Sequence, residues 1–158
     1  MFVQNTSLRQ LNIGLVILRL VVGAIFIAHG GQKLFVYGLD GVAGAFNQMG
    51  VPFAGLAGPL VAFVEFFGGI ALIIGLLTRL AAVGLLAVVL GALFLVHLKA
   101  GFFMPNGYEF VLALAGSAVF FALSGAGTYS IDALIARNRS ERPTGSVAPA
   151  AEQTPRAA

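Results

Sequence analysis

Four stretches of this chain are almost unbroken runs of apolar residues, and each is close to the ~20 residues that cross ~30 Å of hydrocarbon. They run from about Leu11 to Gly30, Ala57 to Leu77, Leu80 to Leu98 and Tyr108 to Ala126. Arg19 interrupts the first and Glu65 the second, while Glu109 falls in the first turn of the fourth. The third has no charge and ends near His97. Runs of this length predict helices. Packed as a water-soluble core, they would leave almost nothing polar to cover them.

The segments between the runs predict shorter features. Gly38-Leu39-Asp40-Gly41 leads into Val42, Ala43, Phe46 and Met49, closed by Gly50 and Pro52. That spacing predicts an amphipathic helix of two to three turns lying in the outer membrane interface. Pro59 is expected in the first turn of the second run, where its missing N–H is tolerated. Asn106-Gly107-Tyr108-Glu109 reads as a capping box, with Asn106 as N-cap and Glu109 reaching back. Ser130 is placed to cap a short helix through Ile131, Asp132, Leu134 and Ile135. From about Ser140 onward the chain is rich in Pro, Ala, Thr, Ser and Arg, a composition that predicts disorder.

Composition strengthens the membrane reading. Hydrophobic residues make up 59% of the 158 positions and charged residues 9%, with a mean hydropathy of +0.97; ordinary soluble domains carry about 25% charged residues. Cysteine is absent, which excludes disulfides, thiolate metal sites and cysteine nucleophiles, so redox chemistry would come from a bound cofactor or a partner. The net charge of +3 fits membrane topology better than nucleic acid, because the basic residues are asymmetrically placed. Arg9, Arg79, Arg137, Arg139, Arg142 and Arg156 fall on one side of four antiparallel helices, and Lys33 and Lys99 on the other. By the positive-inside rule both termini are cytoplasmic. The first run is too long for a cleaved signal, is interrupted by Arg19 and lacks an A-x-A site, so it is read as a retained helix.

Ionisable groups within lipid carry the candidate chemistry. Counting from the outer ends at 1.5 Å per residue, Arg19 lies roughly 15 Å deep and Glu65 roughly 12 Å. The two are expected to pair, either as a salt bridge that only fixes helix register or as a polar pocket in which Arg19 holds an anionic or quinone-like oxygen and Glu65 tunes or relays protons. A second group, His29, Lys33, His97 and Glu109, collects at the outer ends. Its ligands would come from three helices without an H-x-x-x-H pair, so no metal site is expected. Lys33 and Lys99 also suit snorkelling to head groups. His29 and His97 lie at similar depth, which keeps a b-type haem geometrically open, although none is expected. No nucleotide-binding loop or Ser/His/Asp arrangement is recognisable.

Several residues together resemble the DoxX family of small four-helix inner-membrane proteins. They are Leu18-Arg19-Leu20, Gly23, Phe26, His29-Gly30 and Lys33; Gly50-Val51-Pro52; Glu65-Phe66-Phe67-Gly68-Gly69; Gly75-Leu76-Leu77-Thr78-Arg79; Gly107-Tyr108-Glu109; and Gly127-Thr128-Tyr129-Ser130-Ile131-Asp132. The resemblance covers about Leu11 to Leu134. It implies a membrane component linked to quinol-oxidase or thiosulfate:quinone oxidoreductase systems, or a membrane partner of a soluble redox or oxidative-stress enzyme.

The expectation is therefore an all-α, integral membrane, antiparallel four-helix bundle over residues 1–136 and a disordered cytoplasmic tail over 137–158. It would sit in the bacterial inner membrane as an accessory subunit or anchor of a quinone-linked redox system rather than a stand-alone enzyme. Its expected partners are the lipid bilayer, redox-complex subunits or a soluble enzyme, and further copies of itself, but not nucleic acid. A small-solute or proton-coupled transporter and a non-catalytic scaffold are the alternatives.

Overall fold

The computed structural model describes residues 2–140, and every regular element among them is helical. Helix α1 spans Phe2–Gly31 and runs on through a π-helical stretch, Gln32–Tyr37. Gly38, at φ 69°, breaks the line before α2, Gly38–Gln48. Helix α3 is Ala54–Ile74 and α4 is Thr78–Ala92. A second π-helical stretch, Leu93–His97, and a 3-10 turn, Leu98–Ala100, extend α4. Helix α5 is Glu109–Ser124 and α6 is Ile131–Ser140.

Three helical spans, 7–48 (α1 and α2 together), 54–74 and 78–100, are long and apolar enough to cross a membrane. Helix α5 is equally apolar but has 16 residues, about 24 Å. The fourth run is thus a shorter helix than the stretch Tyr108–Ala126. Large apolar side chains such as Leu20, Phe67, Leu80, Phe94 and Leu123 point outward. Such a surface matches hydrocarbon and would associate or aggregate in water.

The packing is organised by close contact between α1 and α3, which run antiparallel. A Cβ on Gly23 would lie 2.8 Å from the Gly69 carbonyl oxygen and 2.6 Å from Ile73. A Cβ on Gly30 would fall on the Phe66 backbone, and one on Gly69 would lie 2.7 Å from the Gly23 carbonyl. The two backbones meet because these positions have no side chain. Lipid tails are as apolar as Leu, so dispersion and packing, rather than expulsion of water, drive such contacts. Helices α2 and α4 both pack on α3, and α5 packs on α4. Val22, Phe26, Leu72, Leu85 and Phe121 form the buried centre.

The connections show why some local expectations hold and others fail. Helix α3 ends in a tight reversal: Gly75 (φ 68°) and Leu77 (φ 48°) are left-handed, and the Leu76 N–H donates to the Ala71 carbonyl at 3.0 Å. Ser130 caps α6 as expected, its Oγ accepting from the Ala133 N–H at 3.1 Å. Pro59 is not in a first turn, because α3 begins at Ala54 and leaves Pro59 inside the helix. The expected capping box does not form. Tyr108 precedes α5 without a side-chain cap, and Glu109 instead accepts from the Met104 N–H at 2.8 Å. Residues 137–140, expected in the tail, belong to α6; the tail from 141 lies outside the described residues.

The α1–α3 seam makes a sharp prediction. Gly30→Leu must push two backbones apart, so it should destabilise the fold by about 3 kcal/mol or more and lower the unfolding temperature in detergent. Gly116→Leu adds the same bulk where a Cβ meets nothing within 4 Å, and should leave that temperature nearly unchanged.

Candidate functional site

The α1–α3 register decides which charges meet. Because Gly30 sits on Ala62 and Phe66, the residues just beyond Gly30 face the middle of α3. Lys33 lies there, in the π-helical stretch, and its Nζ donates to Glu65 Oε2 at 2.5 Å. Both side chains are largely shielded, with 19% and 10% of their surface exposed. The pair is a charge-assisted hydrogen bond between a cation and an anion that would each be costly alone in lipid. π-Helical turns often mark functional positions. The two among the described residues carry Lys33 and His97 to the same cavities.

Two cavities of about 410 Å³ each adjoin the ion pair. The first lies between α2 and α4 over the face of α3, and Phe46, Met49, Val61, Val88, Gly91 and Leu95 contribute to its walls. The second lies among α1, α4, α5 and the turn before α5, and is lined by Phe26, His29, Met104, Phe110 and Leu114 among others. Lys33, Glu65, Val88, Ala92 and His97 line both. Each volume is in the range of about 300–1,000 Å³ typical of ligand sites, and few polar groups face mostly apolar walls, as such sites require.

His29 and His97 complete the polar set. The His29 ring stands 6.4 Å from the Phe110 ring, centroid to centroid, and lines the second cavity together with Lys33 and Glu65. His97 Nδ1 is 3.0 Å from the Asn106 carbonyl oxygen. That carbonyl can only accept, so a hydrogen bond here puts the proton on Nδ1 and leaves Nε2 free to accept when the ring is neutral. Of the expected outer-end cluster, His29, Lys33 and His97 are brought together. Glu109 is not, since it is engaged by the turn at Met104 and lines neither cavity. Among the described residues, no three His, Asp or Glu side chains are grouped so as to hold a metal ion.

The expected Arg19–Glu65 pair is a correction. Arg19 is 2% exposed, but its guanidinium donates to the Ala126 carbonyl at 2.9 Å and the Tyr129 carbonyl at 2.6 Å. It lies against Gly75, where a Cβ would collide with Nη1. Gly75 is ten residues from Glu65 along α3, about 15 Å, so the two charges sit at different levels. The depth count failed because helix one does not end at Gly30. Helical structure continues to Tyr37, which puts Arg19 about 25 Å from that end.

Arg19 instead anchors the opposite end of the molecule. The loop it holds, 125–130, leads to Asp132, whose carboxylate accepts from the Leu77 N–H at 2.8 Å and the Thr78 N–H at 3.0 Å, at the start of α4. A carboxylate is favourable at a helix N-terminus, where unpaired N–H groups and the helix dipole are positive. Partial burial pushes the Asp132 carboxyl upward, but the Thr78 and Leu77 donors and the Arg19 charge outweigh it and hold the group below the usual aspartate range. A depressed carboxyl stabilises the fold above its unfolded-state value near 3.8, and this is lost as pH falls through the lower folded-state value.

The Lys33–Glu65 partnership was missed by sequence reasoning, although a signal for it exists. Gly23 and Gly30 are seven residues apart on one face of α1, opposite Gly69. Aligning small residues, rather than counting from presumed ends, would have set the register.

Comparison with known proteins bears on this arrangement. The DoxX family profile matches residues 14–98, which hold α1 from Gly14 onward and all of α2, α3 and α4, with Arg19, Lys33 and Glu65. Inner membrane protein YqjF of Escherichia coli is 33% identical over 78% of this chain and 93% of its own length. An uncharacterized membrane protein of Mycobacterium tuberculosis is 35% identical over 80% of this chain and 82% of its own. CatD of Bacillus subtilis, provisionally named an oxidoreductase, is 28% identical over 83% of this chain and 93% of its own. No solved structure matches the chain.

Two outcomes are expected. Lys33→Met or Glu65→Gln, each leaving a shielded partner without its counter-charge, should cost about 3 kcal/mol, and the double change Lys33→Met/Glu65→Leu should recover most of it, as thermal unfolding in detergent would show. Asp132→Ala should cost about 1 kcal/mol near neutral pH, and the difference from the unaltered protein should shrink as the pH falls below 3.8 and through the lower folded-state value.

Proposed function

We propose, from the premise that this chain belongs to the DoxX family of membrane proteins, that it is an accessory membrane subunit of a quinone-linked redox system. Its site is the ion pair Lys33–Glu65 with the two cavities beside it. The observation that carries the reading is this meeting of a shielded ion pair, two histidines and two apolar cavities within a chain whose exterior is hydrocarbon-facing.

The groups present fit a quinone. A flat, lipid-soluble ring with two carbonyl oxygens needs apolar walls and one or two donors. Phe26, Phe110 and Leu114 supply the walls. Lys33 Nζ has three hydrogens and gives one to Glu65, and His29 is the second donor. A bound quinone would carry two electrons together with two protons. The chain has no cysteine, and the electrons are assigned to a partner enzyme. The chain's own work is to bind and orient the ring, and to hold or pass protons at Glu65, His29 and His97.

The architecture that goes with this function is an antiparallel four-helix bundle in the bacterial inner membrane, with α2 in the outer interface. Arg9, Arg79, Arg137 and Arg139 lie toward the Arg19 end, and Lys33 and Lys99 toward the other; by the positive-inside rule this asymmetry supports an orientation with both termini cytoplasmic. A carrier suits the molecule less well. Buried apolar residues Val22, Phe26, Leu72, Leu85 and Phe121 lie where a polar path to the Arg19 end would have to pass.

Purification in mild detergent, with mass spectrometry of extracted lipids and of co-purifying proteins, tests the reading. Quinone and a soluble redox partner should accompany the unaltered protein. The stable Lys33→Met/Glu65→Leu variant should retain at least tenfold less quinone per mole. If the unaltered protein holds no quinone even after quinone is added, the reading fails.

A further inference from the structure

The two cavities are unlike in chemistry. Every residue that lines only the α2–α4 cavity is apolar: its own walls are Phe46, Met49, Val61, Gly91, Leu95 and similar residues, and its polar groups all belong to the wall it shares. The cavity among α1, α4 and α5 adds His29 and the turn residues Met104, Pro105 and Gly107. Met49 and Leu95, which line the apolar cavity, are also exposed on the molecule's surface.

We propose that these cavities are two arms of one site, and that the arm between α2 and α4 takes the long hydrocarbon tail of a ligand whose polar ring occupies the other arm. The site thereby admits tailed, membrane-dissolved ring compounds without drawing the tail through water or polar protein. The inference rests on the function proposed above and adds the class of ligand. Moving a tail from lipid to an apolar arm yields little hydrophobic free energy, since both surroundings are apolar. The arm works by shape: it lets the tail run on while the ring stays beside Lys33 and His29. Filling it should therefore reject tailed compounds through steric overlap and leave tailless ones alone.

Gly91 offers a clean way to fill it. It lines the tail arm and not the other, and a Cβ there meets nothing within 4 Å, so Gly91→Phe adds bulk to the arm without disturbing the helix contacts. Gly116→Phe is the control, also in open space and outside both arms. The full chain in lipid nanodiscs is stripped of quinone and incubated with a benzoquinone lacking a side chain, or with the same ring bearing a polyprenyl tail. Bound compound is then measured by mass spectrometry after re-isolation.

Gly91→Phe should lose tenfold or more of its affinity for the tailed compound and bind the tailless one like the unaltered protein, with Gly116→Phe unchanged for both. Equal retention of the tailed compound by Gly91→Phe overturns the two-arm assignment, as does equal loss of both compounds by Gly91→Phe alone. Failure of the unaltered protein to bind either compound overturns the quinone-linked function itself, and the inference with it.

Discussion

The glycine seam between α1 and α3 is the contact on which the rest of the molecule depends. Gly23, Gly30 and Gly69 let two backbones touch, and a contact that close admits one register. Once that register is set, Lys33 lies against Glu65, and Arg19 lies against Gly75 and the 125–130 loop. Neither charge selects the partner by itself. In hydrocarbon any carboxylate would satisfy a buried lysine; the backbone contact decides which one is within reach.

The molecule separates two uses of buried charge. At one end Arg19 is spent on carbonyl groups of a loop, and Asp132 on the first N–H groups of α4. Both satisfy backbone groups that a membrane environment would leave without partners. At the other end Lys33 and Glu65 satisfy each other beside open volume. A planar guanidinium, with five donors in a rigid fork, suits the first task, bridging two carbonyls at once. A flexible ammonium suits the second, because a compact point charge on a long stem can follow a single carboxylate.

The polar site also depends on departures from regular helix. Lys33 and His97 both sit in π-helical turns that continue α1 and α4. A π-turn inserts a residue and rotates the next turn of helix, which redirects side chains toward the cavity walls. No hydrophobic period announces such a turn, and the first apolar run therefore closes at about Gly30 in the sequence. That misplaced end produced both the wrong depth for Arg19 and the expected Arg19–Glu65 pair.

The sequence alone determined that the chain is helical and made for lipid, because composition and run length depend only on which residues are present. It also determined which residues are chemically eligible: Arg19, Glu65, His29, Lys33 and His97 stand out wherever their helices are placed. Local devices such as the Ser130 cap were legible because donor and acceptor lie three residues apart. The tertiary structure decided the pairings, the two cavities and the detachment of Glu109 from the polar group. Those outcomes depend on how far one helix slides and turns against another, and the surfaces that set this meet only when the chain is folded.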